Sequence, residues 1–316
     1  MEKEVIRLVV EEERDCRLDV YLAEKTDFSR SYVQKLIKNN SVTVNGNLLN
    51  KVKVPVSFRD EICIQVPETK ELKILPEKMD LDILYEDDDV LVVNKPKDMV
   101  VHPSAGHMSH TLVNGLLDYC KNNLSGINGV LRPGIVHRID KNTTGALIVC
   151  KNDKAHQSLA QQLQVHSITR KYNAIVYHNF LEEEGTVDAP IGRHPLDRKR
   201  MAIVSSDKGR RAVTHYRVLD HLNHEFNHIE CQLETGRTHQ IRVHMAHIHH
   251  PLLGDDVYGP KSLSKKNAVL YTKFLQGQAL HARVLGFQHP TTNQYIEVES
   301  PLPQYFVELL ERLKTS

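Results

Sequence analysis

Residues 134–153 read Gly134-Ile-Val-His-Arg-Ile-Asp-Lys-Asn-Thr-Thr-Gly-Ala-Leu-Ile-Val-Cys-Lys-Asn-Asp153. A polar loop, His137 to Gly145, runs into the apolar stretch Ala146-Leu-Ile-Val-Cys150. That stretch has the length and β-branched content of a buried strand. At the centre of the loop one carboxylate, Asp140, stands between Arg138 and Lys141. An aspartate ahead of Thr-Thr-Gly commonly bonds its own turn, and taken alone Asp140 reads that way.

Downstream, Ala155, Leu159 and Leu163 recur at a helical spacing, and Ile168 to Tyr177 reads as a strand carrying Arg170-Lys-Tyr172. Further strands are expected at Arg211–Leu219 and His228–Leu233. The glycine- and arginine-containing segment 185–210 reads as strand ends and a ligand-facing loop. Leu233-Glu-Thr-Gly-Arg-Thr-His-Gln-Ile-Arg-Val-His-Met-Ala246 follows, then His250-Pro and Leu253-Gly-Asp-Asp-Val-Tyr-Gly259. The apolar positions of Gln304 to Leu313 predict a capping helix. Upstream, Ile83 to Pro96 reads as two strands joined by an acidic turn, and Thr111 to Tyr119 as a helix. Many short strands with few helices predict an α+β domain over 81–316, built on a mixed, mostly antiparallel sheet with flanking helices and loops.

The first 67 residues predict a small α+β module. Val5 to Val10 is strand-like, and Arg17-Leu-Asp-Val-Tyr-Leu22 has helical spacing. Ser29 is a good N-cap for a helix with Val33, Leu36 and Ile37 on one face and Arg30, Lys35 and Lys38 off it. Val42 to Leu49 alternates around Asn45-Gly46, a two-residue hairpin signal, and Glu61 to Val66 is a second strand. A polar, proline-bracketed segment from Pro67 to Pro76 predicts a linker, placed at 68–80.

Composition narrows the classes. Of 316 residues 40% are hydrophobic and 26% charged, ordinary for a globular protein. Met1-Glu-Lys-Glu lacks the apolar core of a secretory signal, and no apolar run reaches membrane-spanning length, so a cytoplasmic setting with no membrane partner is expected. Five scattered cysteines without a C-x-x-C pair argue against a disulfide framework. A net charge of +1 conceals local excess. Arg132 to Tyr172 carries seven Lys/Arg against Asp140 and Asp153, and Arg193 to Arg217 carries eight against Asp197 and Asp207. Such runs are commonly solvated faces, but two of them flanking a polar loop fit a polyanion groove.

His137-Arg-Ile-Asp-Lys-Asn-Thr-Thr-Gly145 resembles the His-Arg-(Leu/Ile)-Asp-x-x-(Thr/Ser)-(Ser/Thr)-Gly signature of the RluA/RluD-type pseudouridine synthases. Asn94-Lys-Pro96 with Val101-His-Pro103 is similar to that family's first motif, and Leu233 to Ala246 to its third. Arg17-Leu-Asp-x-x-Leu, Ser29-Arg-Ser and Val42-x-Val-Asn-Gly46 resemble the S-four type of RNA-binding module. Ile139, Thr144 and Cys150 depart from commoner Leu, Ser and Ala, and none of these removes a reacting group.

The resemblance implies a function. Isomerising uridine breaks the N1–C1′ bond, turns the uracil and rejoins it through C5, with neither redox change nor group transfer, so no cofactor is expected. The step needs a carboxylate beside C1′ and C6, either attacking covalently or removing a sugar proton. The resemblance gives that role to Asp140. It gives Arg242 the task of keeping the carboxylate charged, with a phosphate contact as the alternative. Tyr172 would stack on an everted uracil, or be a plain strand tyrosine. Arg138, His137, Thr144, Arg237, His239 and Gln240 are expected at the nucleotide, and Arg30 and Lys35 at RNA phosphate. His239, His244, His247, His249 and His250 cluster, but without H-E-x-x-H or paired cysteines no metal is expected. The implied partner of a monomeric enzyme is ribosomal RNA or a ribosome-assembly intermediate. The same chemistry on tRNA and a non-catalytic RNA-binding or assembly factor are the alternatives.

Overall fold

The computed structural model describes residues 5–13, 15–26, 28, 30–66, 74–103, 107–121, 123–127, 133–197, 200–260 and 275–315. Ser29, most of the 67–76 segment, Arg132, Arg198 and Lys199 lie outside these described residues. The chain forms two compact units, Met1–Leu72 and Lys73–Ser316. Among the described residues no helix is long and apolar enough to cross a membrane.

The first unit packs helices α1 (Leu18–Lys25) and α2 (Arg30–Lys38) with a four-stranded antiparallel sheet. The sheet order is β1 (Val5–Val9), β4 (Glu61–Gln65), β2 (Val42–Val44), β3 (Asn47–Leu48). Asn45 and Gly46 both take positive φ, 50° and 78°, as a tight hairpin turn requires. Leu18, Leu22, Val33, Leu36, Ile37, Ile62 and Ile64 close the core. The carboxylate of Asp19 is buried there and accepts from Arg17, Arg30 and Gln34, which ties α1 to α2.

The second unit is built on a nine-stranded sheet in the order β5 (Ile83–Glu86), β6 (Val90–Lys95), β7 (Thr144–Cys150), β14 (Leu280–Gln288), β8 (Thr169–Tyr177), β13 (Phe226–Leu233), β12 (Val213–His221), β9 (Glu184–Asp188). The ninth strand, β15 (Tyr295–Glu299), pairs with β14. All pairings are antiparallel except β14 with β7, which makes the sheet mixed and mostly antiparallel, as expected. The segment expected to end strands and loop out contains β9 and a small hairpin, β10 (Ile191–Arg193) with β11 (Met201–Ile203).

Both faces of this sheet are covered, so its central strands are apolar throughout rather than alternating. Leu91, Leu147, Val149, Ala174 and Val176 face one core with Leu112 and Leu116 of α3 (Leu112–Cys120) and Ile241 and Met245 of α5 (Gln240–His247). Val90, Val92, Ile148 and Phe287 face the other, with Ala155 and Leu159 of α4 (Asp153–Gln164). Ile175 and Phe226 pack on Phe306, Leu309 and Leu313 of α6 (Gln304–Lys314). One backbone position is exacting. Gly145, with φ of +108°, lies where β7 meets β14, and a Cβ there would collide with the Ala282 carbonyl.

Candidate active site

The loop before β7 is fixed from three sides. Lys95, buried at the end of β6, donates through Nζ to the carbonyls of Pro96 (2.7 Å), Met99 (2.9 Å) and Lys141 (3.0 Å). Burial lowers its pKa to about 7, with the charges of Asp140 and Asp98 opposing. Three acceptors nevertheless call for the three N–H bonds of the ammonium form. Gln278 donates to Thr143 Oγ1 at 3.0 Å, and His137 Nε2 accepts the Ile148 N–H at 3.0 Å. Burial, with the Arg170 charge adding, lowers the His137 pKa to about 3. Its ring is therefore neutral and keeps the lone pair that this bond uses.

The loop presents Asp140 at the partition between two cavities of about 400 and 450 Å³. Arg242 of α5 donates from Nη1 to Asp140 Oδ2 at 3.0 Å. Its other edge grips Asp255, Nε to Oδ2 at 2.7 Å and Nη2 to Oδ1 at 2.9 Å. Burial disfavours this guanidinium's charge, but the bonds and charge of Asp255, reinforced by Asp140, outweigh it and raise its pKa. One guanidinium thus hydrogen-bonds two carboxylates, with Asp256 Oδ1 a further 4.0 Å from Nη2, and Asp255 sets the angle at which it meets Asp140.

Tyr172, on β8, lines the 400 Å³ cavity with Asp140 and Arg242. Burial raises its pKa, opposed by Arg170 and reinforced by Asp140, so the phenol stays protonated. His239 borders both cavities with Nε2 3.9 Å from Asp140 Oδ1. Its Nδ1 is 2.9 Å from the Tyr258 hydroxyl, which also accepts the Met201 N–H at 2.9 Å. Arg138 lines both cavities from an exposed position, and Arg237 lines the first while its Nε donates to the Arg211 carbonyl. Arg30 and Lys35 are exposed on α2 in the first unit.

Two residues expected at the nucleotide have their polar groups bonded within the protein. The Thr144 hydroxyl sits between His281 Nδ1 (2.8 Å) and Tyr305 Oη (3.2 Å), buried behind the loop and lining neither cavity. Gln240 reaches the cavity wall, but its carboxamide is consumed internally. The oxygen accepts from Thr235 Oγ1 and the Arg237 N–H, and the nitrogen donates to Val213 O and Thr214 Oγ1. The polar groups of both residues are thus engaged inside the protein. Asp255 and Tyr258 had no assigned role in the sequence reading, although the segment Leu253 to Gly259 that holds them stands out there. Among the described residues no group of three His, Cys, Asp or Glu side chains is arranged to hold a metal.

With this geometry in place, comparison with known proteins is informative. A family model described as RNA pseudouridylate synthase matches residues 89–247, and one described as S4 domain matches 16–62. The chain is 52% identical over 305 residues to "Uncharacterized RNA pseudouridine synthase YlyB" of Bacillus subtilis, covering 96% of each chain. It is 46% identical over 311 residues to "Ribosomal large subunit pseudouridine synthase D" of Zymomonas mobilis, covering 98% of this chain and 97% of that one. Among solved structures, "Human RNA Pseudouridylate Synthase Domain Containing 4" superposes with a TM-score of 0.59 at 27% identity, covering 74% of this chain and 93% of that chain.

Proposed function

Because the chain belongs to the RNA pseudouridylate synthase family, an isomerase family that acts on RNA, we propose that Asp140 is its reacting carboxylate and a uridine of large-subunit ribosomal RNA its substrate. One observation carries the first part: Asp140 is held by Arg242 at the edge of a cavity that also contains Tyr172. A carboxylate only 17% exposed is out of reach of a base stacked in a helix, so the uridine enters everted. Its uracil lies on Tyr172, and Asp140 acts where base meets sugar. The C1′–N1 bond breaks and C1′–C5 forms. C5 loses a proton and N1 gains one, so atoms and charge balance. Arg242 pairs with Asp140 and holds it in place, and Asp255 keeps Arg242 in line.

The ribosomal target is supported by the name of the 46% identical relative and by the S4 domain at residues 16–62. We place the activity in the cytoplasm, where the five free cysteines stay reduced. Tritium release from 5-tritiated uridine RNA tests the reacting group. Asp140→Asn and Asp140→Ala are expected to abolish release while leaving RNA affinity largely intact, and near wild-type release by either variant would overturn the assignment. Mapping pseudouridine across total RNA with and without the gene tests the target. Sites lost only from tRNA would overturn the ribosomal reading.

A further inference from the structure

Arg170 stands two residues before Tyr172 on β8, so both side chains leave the same face of the strand, and both line the 400 Å³ cavity. Arg170 is 5% exposed. Its Nη2 donates to the Glu234 carbonyl at 2.8 Å, and Nη1 lies over Gly236, where a Cβ would come within 2.6 Å. Its Nε is buried with no acceptor. Among the described residues no carboxylate forms an ion pair with it. The Nε nitrogen is sealed off, but Nη1 has no hydrogen-bond partner among the described residues and is not sealed, so on a buried guanidinium without counter-charge it is the donor left for a ligand in the cavity.

Depth decides which part of a nucleotide that ligand group is. Arg138 is exposed and Arg237 half-buried at the same cavity, the positions suited to phosphates that stay joined to an RNA strand outside. Only the base travels as far in as Arg170 and Tyr172. Resting on the reading above, we propose that Arg170 donates to a uracil carbonyl oxygen and holds the base through its turn. Rotating uracil by half a turn about the axis through N3 and C6 exchanges N1 with C5 and, with them, O2 with O4. One fixed donor therefore meets an oxygen before the turn and another oxygen after it. Cytosine, with an amino group at position 4, offers an acceptor in only one of the two orientations. Arg170 is thus both a handle for the detached base and a determinant of uracil over cytosine.

The test uses full-length protein and a stem-loop RNA containing the mapped uridine, prepared with uridine, 2-thiouridine or 4-thiouridine at that position. Single-turnover rates and the salt dependence of RNA affinity are measured for wild type, Arg170→Lys and Arg170→Met. Arg170→Met is expected to lose about 10- to 150-fold in rate on the uridine RNA, the range for a hydrogen bond from a charged group. Arg170→Lys should recover part of that loss. Each thiocarbonyl should slow wild type but add little to the Met variant, and the salt slope of affinity should stay unchanged. A slope shallower by about 0.7–0.9 for the Met variant would mean a phosphate contact and would overturn the proposal. Fully additive thio and Met effects, or an unchanged rate, would overturn it as well. Wild-type turnover of the uridine RNA in the same series separates these outcomes from failure of the functional reading itself.

Discussion

Arg242 meets Asp140 with one nitrogen and Asp255 with two, so the geometry of the proposed reacting carboxylate is set by a residue that does not touch the cavity. Asp255→Asn keeps the shape but removes the charge that aims the guanidinium. The single-turnover rate at saturating RNA is expected to fall about 10²-fold, the scale of an ångström-sized misplacement, with RNA affinity little changed. A rate within twofold of wild type would make Asp255 a loop anchor only. Tyr172→Phe separates ring from hydroxyl. If the ring stacks on the base, Phe keeps affinity while Ala loses roughly 1–3 kcal/mol of it. A hydroxyl engaged in proton transfer shows in Phe as a chemical step slower by about 10²–10⁴. Should both variants match wild type, Tyr172 is a strand residue and nothing more. Asp140, Tyr172 and Arg242 were legible because each lies inside a dense motif. Asp255 was not, since nothing in a thirteen-residue separation tells that its carboxylate folds back on the guanidinium. That the Gln240 carboxamide bonds inside the protein was illegible too, since its partners Val213, Thr214 and Thr235 lie on other segments.

At the level of elements, the loop works because β7 and β14 approach without a side chain between them at Gly145. Gly145→Ala adds a collision with the backbone of Ala282 to an unfavourable φ, and about 3 kcal/mol or more of stability is expected to be lost. The urea midpoint measures it, and a change below about 0.5 kcal/mol, as at an unremarkable surface site, would mean that the two strands relax apart freely. The central strand itself was illegible in the sequence. Leu280-His-Ala-Arg-Val-Leu-Gly-Phe-Gln288 breaks its apolar run with His281, Arg283 and Gly286. His281 is nonetheless fully buried, because Thr144 and the Ser300 carbonyl satisfy its two nitrogens. The strand β7 was legible for the converse reason, being apolar from Ala146 to Cys150 and buried on both faces. Side-chain partners that make a polar strand residue cheap to bury come from distant sequence, and periodicity cannot see them.

For the whole molecule, the two units each enclose their own core, Leu18 to Ile64 in one and the two sheet faces in the other. Removing residues 1–72 is expected to weaken RNA binding and flatten its salt dependence by about 0.7–0.9 per lost phosphate contact. Chemistry at saturating RNA should survive. A folded but inactive remainder at saturation would show that the first unit takes part in the reaction rather than in capture. The sheet order carries a consequence in time. β7 follows the Asp140 loop and β8 carries Tyr172, yet the strand that joins them, β14, is synthesised after both. Since domains fold largely as units and the N-terminal one first, a growing chain acquires its S4 domain first and closes the sheet around the candidate site only after β14 has emerged. A message cut short just ahead of the codon for Leu280 should therefore yield a protein that competes for RNA without modifying it, so nonsense alleles there should act dominantly rather than as simple losses.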